Sequence, residues 1–542
     1  MTESRQPRSR PESAVTRRGF LQTVGAVGGA GAAFAAMGAI GLAPTAASAA
    51  TPPFRAPRAS DFTLTGRSAA RVAVVGAGVA GLTAAYELRK AGYDVTVLEA
   101  RPRIGGRNLT LRPGDRLTDL DGNTQQARFA PGEYFNAGPA MLPQWTVSTR
   151  YCRELGVPLE VFAVSNTSTF VYDPQASGPV RMLTARADAY GIVAELLAKV
   201  TDQGVLDARL SAADKERLLE FLRSMGGLGD RAEGWAYRAD PRRRGFAVNP
   251  GAAGAPGEPL PPPGSLDRVF ARQVTGHLAL DAEFDMASTL LQPVGGMDRI
   301  AAALADAVGR SRIRCGVEVT AITDGPTGTR LTYRGASGSG TPSGVLDADH
   351  CIVTTPPHVA ARIAGLSSEV TELLGRFIPQ RPGKIGLEYR SRWWEDDFAI
   401  YGGLTSYGDD ASLWYPSHGY HGGRGTMVAY FDDARPLEAL SPARRAALAV
   451  ARNEHVHGAK ARTELASSFS VLWGREPFLE AGWAAADPLN AVNDPAYRPL
   501  TRPTGRVLFA GDWISNTLGW QHGSMVSARQ AVEAVHARAM AR

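Results

Sequence analysis

Arg71-Val72-Ala73-Val74-Val75-Gly76-Ala77-Gly78-Val79-Ala80-Gly81 opens the segment that decides the fold. A short apolar run suits a strand buried in a parallel sheet. A G-x-G-x-x-G turn follows at once. Leu82, Ala85 and Leu88 then share one face of a helix expected from about Ala80 to Ala91, which Gly92 stops. A second strand, Asp94–Leu98, leads to Glu99. Gly76 permits the tight turn, Gly78 lets backbone approach a pyrophosphate, and Gly81 lets helix and strand pack closely. Free N–H groups and the helix dipole favour an anion at this terminus. Glu99, 18 residues past Gly81, suits ribose hydroxyls and disfavours a 2′-phosphate. Strand, turn, helix, strand and acid in this order predict a dinucleotide site.

The motif does not end at the ribose. Glu99-Ala100-Arg101-Pro102-Arg103-Ile104-Gly105-Gly106-Arg107 adds a second glycine pair and a fixed cation. This stretch resembles the flavin amine oxidase superfamily, which includes monoamine, polyamine and L-amino-acid oxidases. Further segments resemble it in order along the chain: Asn136-Ala137-Gly138-Pro139-Ala140-Met141-Leu142-Pro143, Val294–Asp298, Cys351–Pro357, Val507–Asp512 and Gly519–Ser524. With the run Trp414–His418, the first of these brings the chain nearest the bacterial L-amino-acid oxidase branch.

The resemblance implies an α/β fold. A Rossmann-like FAD-binding domain is expected in three pieces (66–115, 285–365, 485–542), beside an α+β substrate-binding domain (116–150, 366–484) and a helical insertion (151–284). It implies noncovalent FAD, because no cysteine follows Cys351 near the C-terminal flavin segment. The implied FAD contacts are Gly76, Gly78, Ala80, Gly81, Glu99, Ala100, Arg101, Gly106 and Arg107 from the first block. Gly138, Pro139, Ala140, Val319, Gly511, Asp512, Trp520, Gln521 and Ser524 complete them. Lys384 is implied as the catalytic cation beside the flavin, where it also assists O2 reduction electrostatically; a surface lysine at a strand start is the plainer reading. Tyr415, Trp483 and Trp520 are expected to line the substrate side, with core packing as the alternative.

One position departs from the family. L-amino-acid oxidases carry an Arg in Gly-Pro-x-Arg-Leu-Pro that pairs with the substrate carboxylate. Here that residue is Met141, which a carboxylate cannot use. Either the substrate lacks a carboxylate there, or another cation serves, with Arg107 and Arg150 nearest in sequence. The expected reaction is oxidative deamination of an amine or amino-acid-type substrate, with O2 reduced to H2O2. A flavin dehydrogenase or desaturase with another acceptor, and a non-catalytic flavoprotein, remain open.

Composition bounds the rest. The 542 residues are too many for one simple core. The net charge of +6 falls to about +3 once the five arginines and two acids of residues 1–49 are set aside, leaving 54 basic and 51 acidic residues. Scattered basic residues give no nucleic-acid footprint. Lysine is scarce, at five residues: Lys90, Lys199, Lys215, Lys384 and Lys460. Cys152, Cys315 and Cys351 have no metal or disulfide spacing. His418, His421 and His522 read as ordinary polar residues, and no metal is expected. Thr16-Arg17-Arg18-Gly19-Phe20-Leu21, the weakly apolar stretch to Leu42 and Ala47-Ser48-Ala49 resemble a cleaved twin-arginine export signal rather than a stable membrane anchor. Export to the periplasm, cell envelope or exterior is expected, and a homodimer is left open. The Pro/Gly-rich Arg238–Leu266 reads as a long surface loop, or as a lid over the substrate funnel.

Overall fold

A computed structural model describes residues 55–541, apart from 174–177, 281–282, 287–288, 337, 408–410 and 488–490. The expected export leader therefore lies outside the described residues. Contacts divide the chain into two units, one containing Ala187–Arg243 and the other Ala56–Arg186 with Arg244–Arg542.

In the larger unit, strand β1 (Arg71–Val75), helix α1 (Val79–Lys90) and strand β2 (Asp94–Glu99) form the expected opening. β1 pairs parallel with β2, Val72 opposite Val95 and Val75 opposite Leu98. Its other edge pairs parallel with His350–Val353, which pairs parallel with Val507–Phe509. Ile313–Cys315 completes a five-stranded sheet beyond β2. A parallel sheet must be covered on both faces, so its strands read as continuous apolar runs. Val72 and Val74 enter a core with Leu82 and Leu88 of α1, Ile300 and Leu304 of Asp298–Val308, and Met525 and Val532 of Gln521–Met540. Ala73 and Val75 point to the opposite core, among Val319, Ile322, Leu331, Phe377 and Trp513. Each buried Leu or Val contributes roughly 1.5–3 kcal/mol. The chain thus returns to one sheet from three distant stretches.

A second sheet forms the other wall. Its central strands are β3 (Gly383–Tyr389), β4 (Leu404–Tyr407), β5 (Ala411–Trp414), β6 (Gly425–Phe431) and β7 (Leu465–Leu472), in the spatial order β4-β5-β6-β3-β7. Phe170–Val171 and Val180–Arg181 extend its β4 edge. Side chains alternate across such strands. Ile385, Leu387, Leu413, Met427 and Ala429 pack one face against Trp393, Trp394 and Val450. The intervening residues are left for the other face.

The helical expectation for 151–284 needs correction. Leu159–Phe162 pairs with Leu290–Pro293, and 170–171 and 180–181 belong to the second sheet. Strands of two to four residues are too short to show a period in sequence. After the end of the helix Val147–Glu154, the long helices are α2 (Met182–Asp202) and α3 (Ala212–Gly226). Arg238–Leu266 is also less irregular than expected, since it holds the short helix Pro241–Arg244 and the strand pair Phe246–Val248 and Glu258–Pro259. Among the described residues, no helix is long and apolar enough to cross a membrane.

Candidate active site

One cavity of about 1350 Å³ runs from the β1 turn to the second sheet. Small-molecule sites span roughly 300–1,000 Å³, so it has room for a dinucleotide and a further small ligand.

The first block surrounds one end. Glu99, at the end of β2, accepts hydrogen bonds from the Ala77 N–H at 2.7 Å and the Arg101 N–H at 2.9 Å. Burial raises its carboxyl group above the usual range despite those donors. Arg101 pairs with Glu476 at 2.6 Å, both side chains buried. Gly76, Gly78, Ala80, Ala100, Gly106 and Val319 also line this end. Gly81 does not reach the cavity. A Cβ there would stand 2.0 Å from the Gly76 carbonyl oxygen, so its absence lets α1 seat against the turn. A Cβ at Gly78, by contrast, would meet nothing within 4 Å. It would project into space that the surrounding chain leaves open.

The middle is clasped by distant residues. The Arg107 guanidinium donates to both oxygens of Asp512 and, at 2.5 Å, to the Gly482 carbonyl. The Gly519 N–H donates to the same Asp512 carboxylate at 3.0 Å. Burial opposes the Arg107 charge, but Asp512 outweighs it and the guanidinium pKa rises. Asn108 donates to Gln521 Oε1 at 3.0 Å. Gln521 and Ser524 lie in the first turn of Gln521–Met540, and both line the cavity with Gly511 and Trp520.

The far end has one buried cation. Lys384 leaves β3 and donates to the Gly138 carbonyl at 2.5 Å. Its ammonium lies 5.4 Å from the Trp414 ring centre and 5.9 Å from that of Tyr430. Burial pulls it down to about 7. Gly138 must be glycine, because a Cβ would stand 1.8 Å from the Arg107 carbonyl. Pro139, Ala140 and Met141 continue along the wall. Met141 packs among Phe162, Val164, Leu290 and Leu404.

Sheet register explains which side chains join Lys384. Lys384 lies opposite Tyr430, Tyr430 opposite Ser412, and Ser412 opposite Ser406. All four line the cavity. Leu404 and Trp414, on the next row, do so too. Tyr415, the expected aromatic, does not. It lies one residue beyond Trp414 and turns into the core, where its hydroxyl meets Thr405 at 2.7 Å and His457 at 2.8 Å. A one-residue step along a strand reverses the face. Trp483 and Trp520 line the cavity as expected.

Sequence reasoning also missed Asn108, Trp414, Tyr430 and Trp473; the alternation from Lys384 was the available signal for Tyr430. Arg107 and Arg150 are both engaged, the latter buried beside Glu87 and Glu154. Arg272, from the expected insertion, and Met286, from the second expected piece of the FAD-binding domain, line the cavity. Among the described residues, no histidine or cysteine lines it. His418 stacks on Tyr134, and His522 accepts from the Val147 N–H at 3.2 Å.

Buried polar atoms test whether a polar ligand belongs here. Gln521 Nε2, Asn108 Oδ1, Thr355 Oγ1 and Trp513 Nε1 have no partner among the described residues, and all four residues line the cavity. Such atoms cost about 1–3 kcal/mol each when unmet. Their convergence with the open cradle at Gly78 and the helix terminus at Gln521 fits a large dinucleotide.

The model for flavin-containing amine oxidoreductases matches residues 79–536. The chain belongs to this family. It is an FAD-dependent amine oxidase, and the residues just described fit that cofactor. A pyridine nucleotide-disulphide oxidoreductase model also matches residues 28–120, over the dinucleotide unit. The chain is 27% identical to L-amino acid oxidase Cdc18 of Crotalus durissus cumanensis, over 86% of its own length and 90% of that protein's. It is 26% identical to L-amino acid oxidase bordonein-L of Crotalus durissus terrificus, over 86% of each. Among solved structures, cyclohexylamine oxidase from Brevibacterium oxydans matches with TM-score 0.57 and 19% identity, over 88% of this chain and all of that one. Putrescine oxidase bound to putrescine matches with TM-score 0.54 and 19% identity, over 87% and 99%. These last two likenesses concern the fold.

Proposed function

We propose that this amine oxidase acts on an amine that presents no carboxylate toward position 141, releasing a carbonyl compound, ammonia or an amine, and H2O2. Met141 carries the reading. It sits in an apolar cluster at the cavity wall, where a carboxylate would lose its solvation without a charged partner. That loss costs roughly 2–5 kcal/mol.

FAD, held without a covalent bond, supplies a two-electron acceptor for the hydride on the carbon bearing nitrogen. The chain's own residues prepare the substrate. Trp414, Tyr430, Trp483 and Trp520 form aromatic walls that exclude water and disfavour the ammonium form. Only the neutral amine has the lone pair that makes hydride loss favourable. Lys384, fixed on the Gly138 carbonyl, holds a proton beside the reacting region. Glu99, Arg107, Asp512, Gln521 and the α1 terminus would hold the dinucleotide. The atoms balance as amine, O2 and water giving carbonyl compound, ammonia and H2O2.

A peroxide assay over primary amines, amino-acid esters and free amino acids tests this. Amines are expected to exceed free amino acids by at least about tenfold in kcat/KM. Met141→Arg is expected to raise activity on free amino acids by a similar factor, by supplying a bidentate partner. Free amino acids as the best wild-type substrates would overturn the reading. A second reading rests on Arg272, which lines the cavity and would bind a carboxylate in place of residue 141. In that case Arg272→Ala would abolish amino-acid turnover, and Met141→Arg would add little. Flavin bleaching without peroxide would instead point to another electron acceptor.

We further propose twin-arginine export of the folded, FAD-loaded chain. Replacing Arg17 and Arg18 with lysine should retain the protein inside the cell; unchanged export would dismiss this route.

A further inference from the structure

Residues 476–482 belong to no helix or strand, yet they are firmly placed. Pro477, Phe478, Leu479, Glu480 and Gly482 line the cavity. The Leu479 and Glu480 N–H groups donate back to the Glu476 carbonyl at 3.2 and 2.9 Å, so the segment coils into one tight turn. Two of its residues take a left-handed conformation without being glycine: Phe478 at φ +61° and Glu480 at φ +52°. Side chains of this size are rarely found there. Such a conformation is strained and persists only where its surroundings impose it.

Four side chains impose it. Arg101 donates to Glu476 at 2.6 Å. His358 Nε2 donates to the Leu479 carbonyl at 2.9 Å. Arg362 donates to both oxygens of Glu480, at 2.9 and 2.6 Å. Arg107 donates to the Gly482 carbonyl at 2.5 Å. Arg101 and Arg107 come from the first block, whereas His358 and Arg362 follow the strand His350–Val353. The turn is therefore tied to two separate stretches of the large unit, and Arg101, Arg107 and Arg362 line the cavity themselves.

The two ion pairs among these ties differ in setting. The Arg101 and Glu476 side chains are 7% and 4% exposed, so parting them would strand a buried charge. The Arg362 and Glu480 side chains are 56% and 25% exposed. Water can take over both charges there, so this pair parts most readily. Its bidentate fork is the geometry in which a partly exposed pair still counts.

We propose that residues 476–482 are a latch that retains FAD, with the Arg362–Glu480 pair as its bolt. FAD leaves when this pair parts and the strained turn unwinds. The strain favours opening and the pair favours closure. Retention then depends on the opposite signs of two side chains that are not among the expected FAD contacts.

Charge reversal tests the assignment. Arg362→Glu and Glu480→Arg each set like charges against one another. Each is expected to speed FAD release by about tenfold, read as the rise of free-flavin fluorescence after dilution of the loaded protein. The double reversal restores the attraction with the charges exchanged, and should return the rate to within about twofold of wild type. Hydrogen exchange of the Leu479 and Glu480 amides in the loaded protein should quicken in each single variant and slow again in the double. Glu480→Gln keeps the shape and removes the charge, so it guards against misfolding of the reversals; release about fourfold faster is expected. Single variants that release FAD at the wild-type rate, or a double reversal as fast as the singles, would overturn the proposal. A Glu480→Gln variant indistinguishable from wild type in release and exchange would do the same.

Discussion

Lys384→Met is expected to slow flavin reoxidation by O2 by two to three orders of magnitude, the usual cost of removing one preorganised charge at a reacting centre. The residue is buried, donates to Gly138 and lies between the Trp414 and Tyr430 rings. Methionine fills nearly the same volume without the charge, so flavin content should be unchanged. Burial brings the lysine to about 7, so wild-type reoxidation should fall as pH rises through that value, and the variant should be flat. The stability effect has the opposite sign. The folded value lies below the ordinary 10.5, so the unfolded chain holds the extra proton between about 7 and 10.5. Stability therefore rises with pH across that window, and Lys384→Met removes the slope. Stopped-flow reoxidation and melting temperature against pH measure both effects. A change below about threefold, or a persistent slope, would show that Lys384 acts differently.

Gly81→Ala should have a large structural effect. Its methyl would meet the Gly76 carbonyl at 2.0 Å and the Thr354 hydroxyl at 2.9 Å. The nearer neighbour is backbone and cannot rotate away, so the α1 terminus must lift from β1. A cost of about 2–5 kcal/mol and loss of the flavin absorbance are expected. Gly78→Ala separates cofactor from fold. With no neighbour within 4 Å, it should leave the melting temperature of the flavin-free protein unchanged and weaken FAD retention. If both variants melted and bound alike, the cradle assignment would fail.

The first βαβ unit was legible in sequence because its rules are local. Turn glycines, helix face and terminal acid all fall between Arg71 and Glu99. The rest of the sheet was legible only through resemblance, since nothing in Val507–Phe509 says which strand it joins. Lys384, Trp483 and Trp520 line the cavity, but the third expected aromatic was chosen one residue off. Trp414 and Tyr415 are equally aromatic, and only strand register decides which faces the cavity. The extent of the helical insertion was overdrawn because short strands carry no period.

The clasp between Arg107 and Asp512, with the seating of Val507–Phe509 beside His350–Val353, bears on the order of assembly. A ribosome releases β1, α1 and β2 early, yet the sheet they begin lacks its last strand until nearly the whole chain has emerged. A nascent or truncated chain can display the phosphate turn but cannot complete the wall opposite it. A chain cut before Val507 is therefore expected to fold its first βαβ turn yet fail to retain flavin, because Asp512 and Gln521–Met540 would be missing from the site.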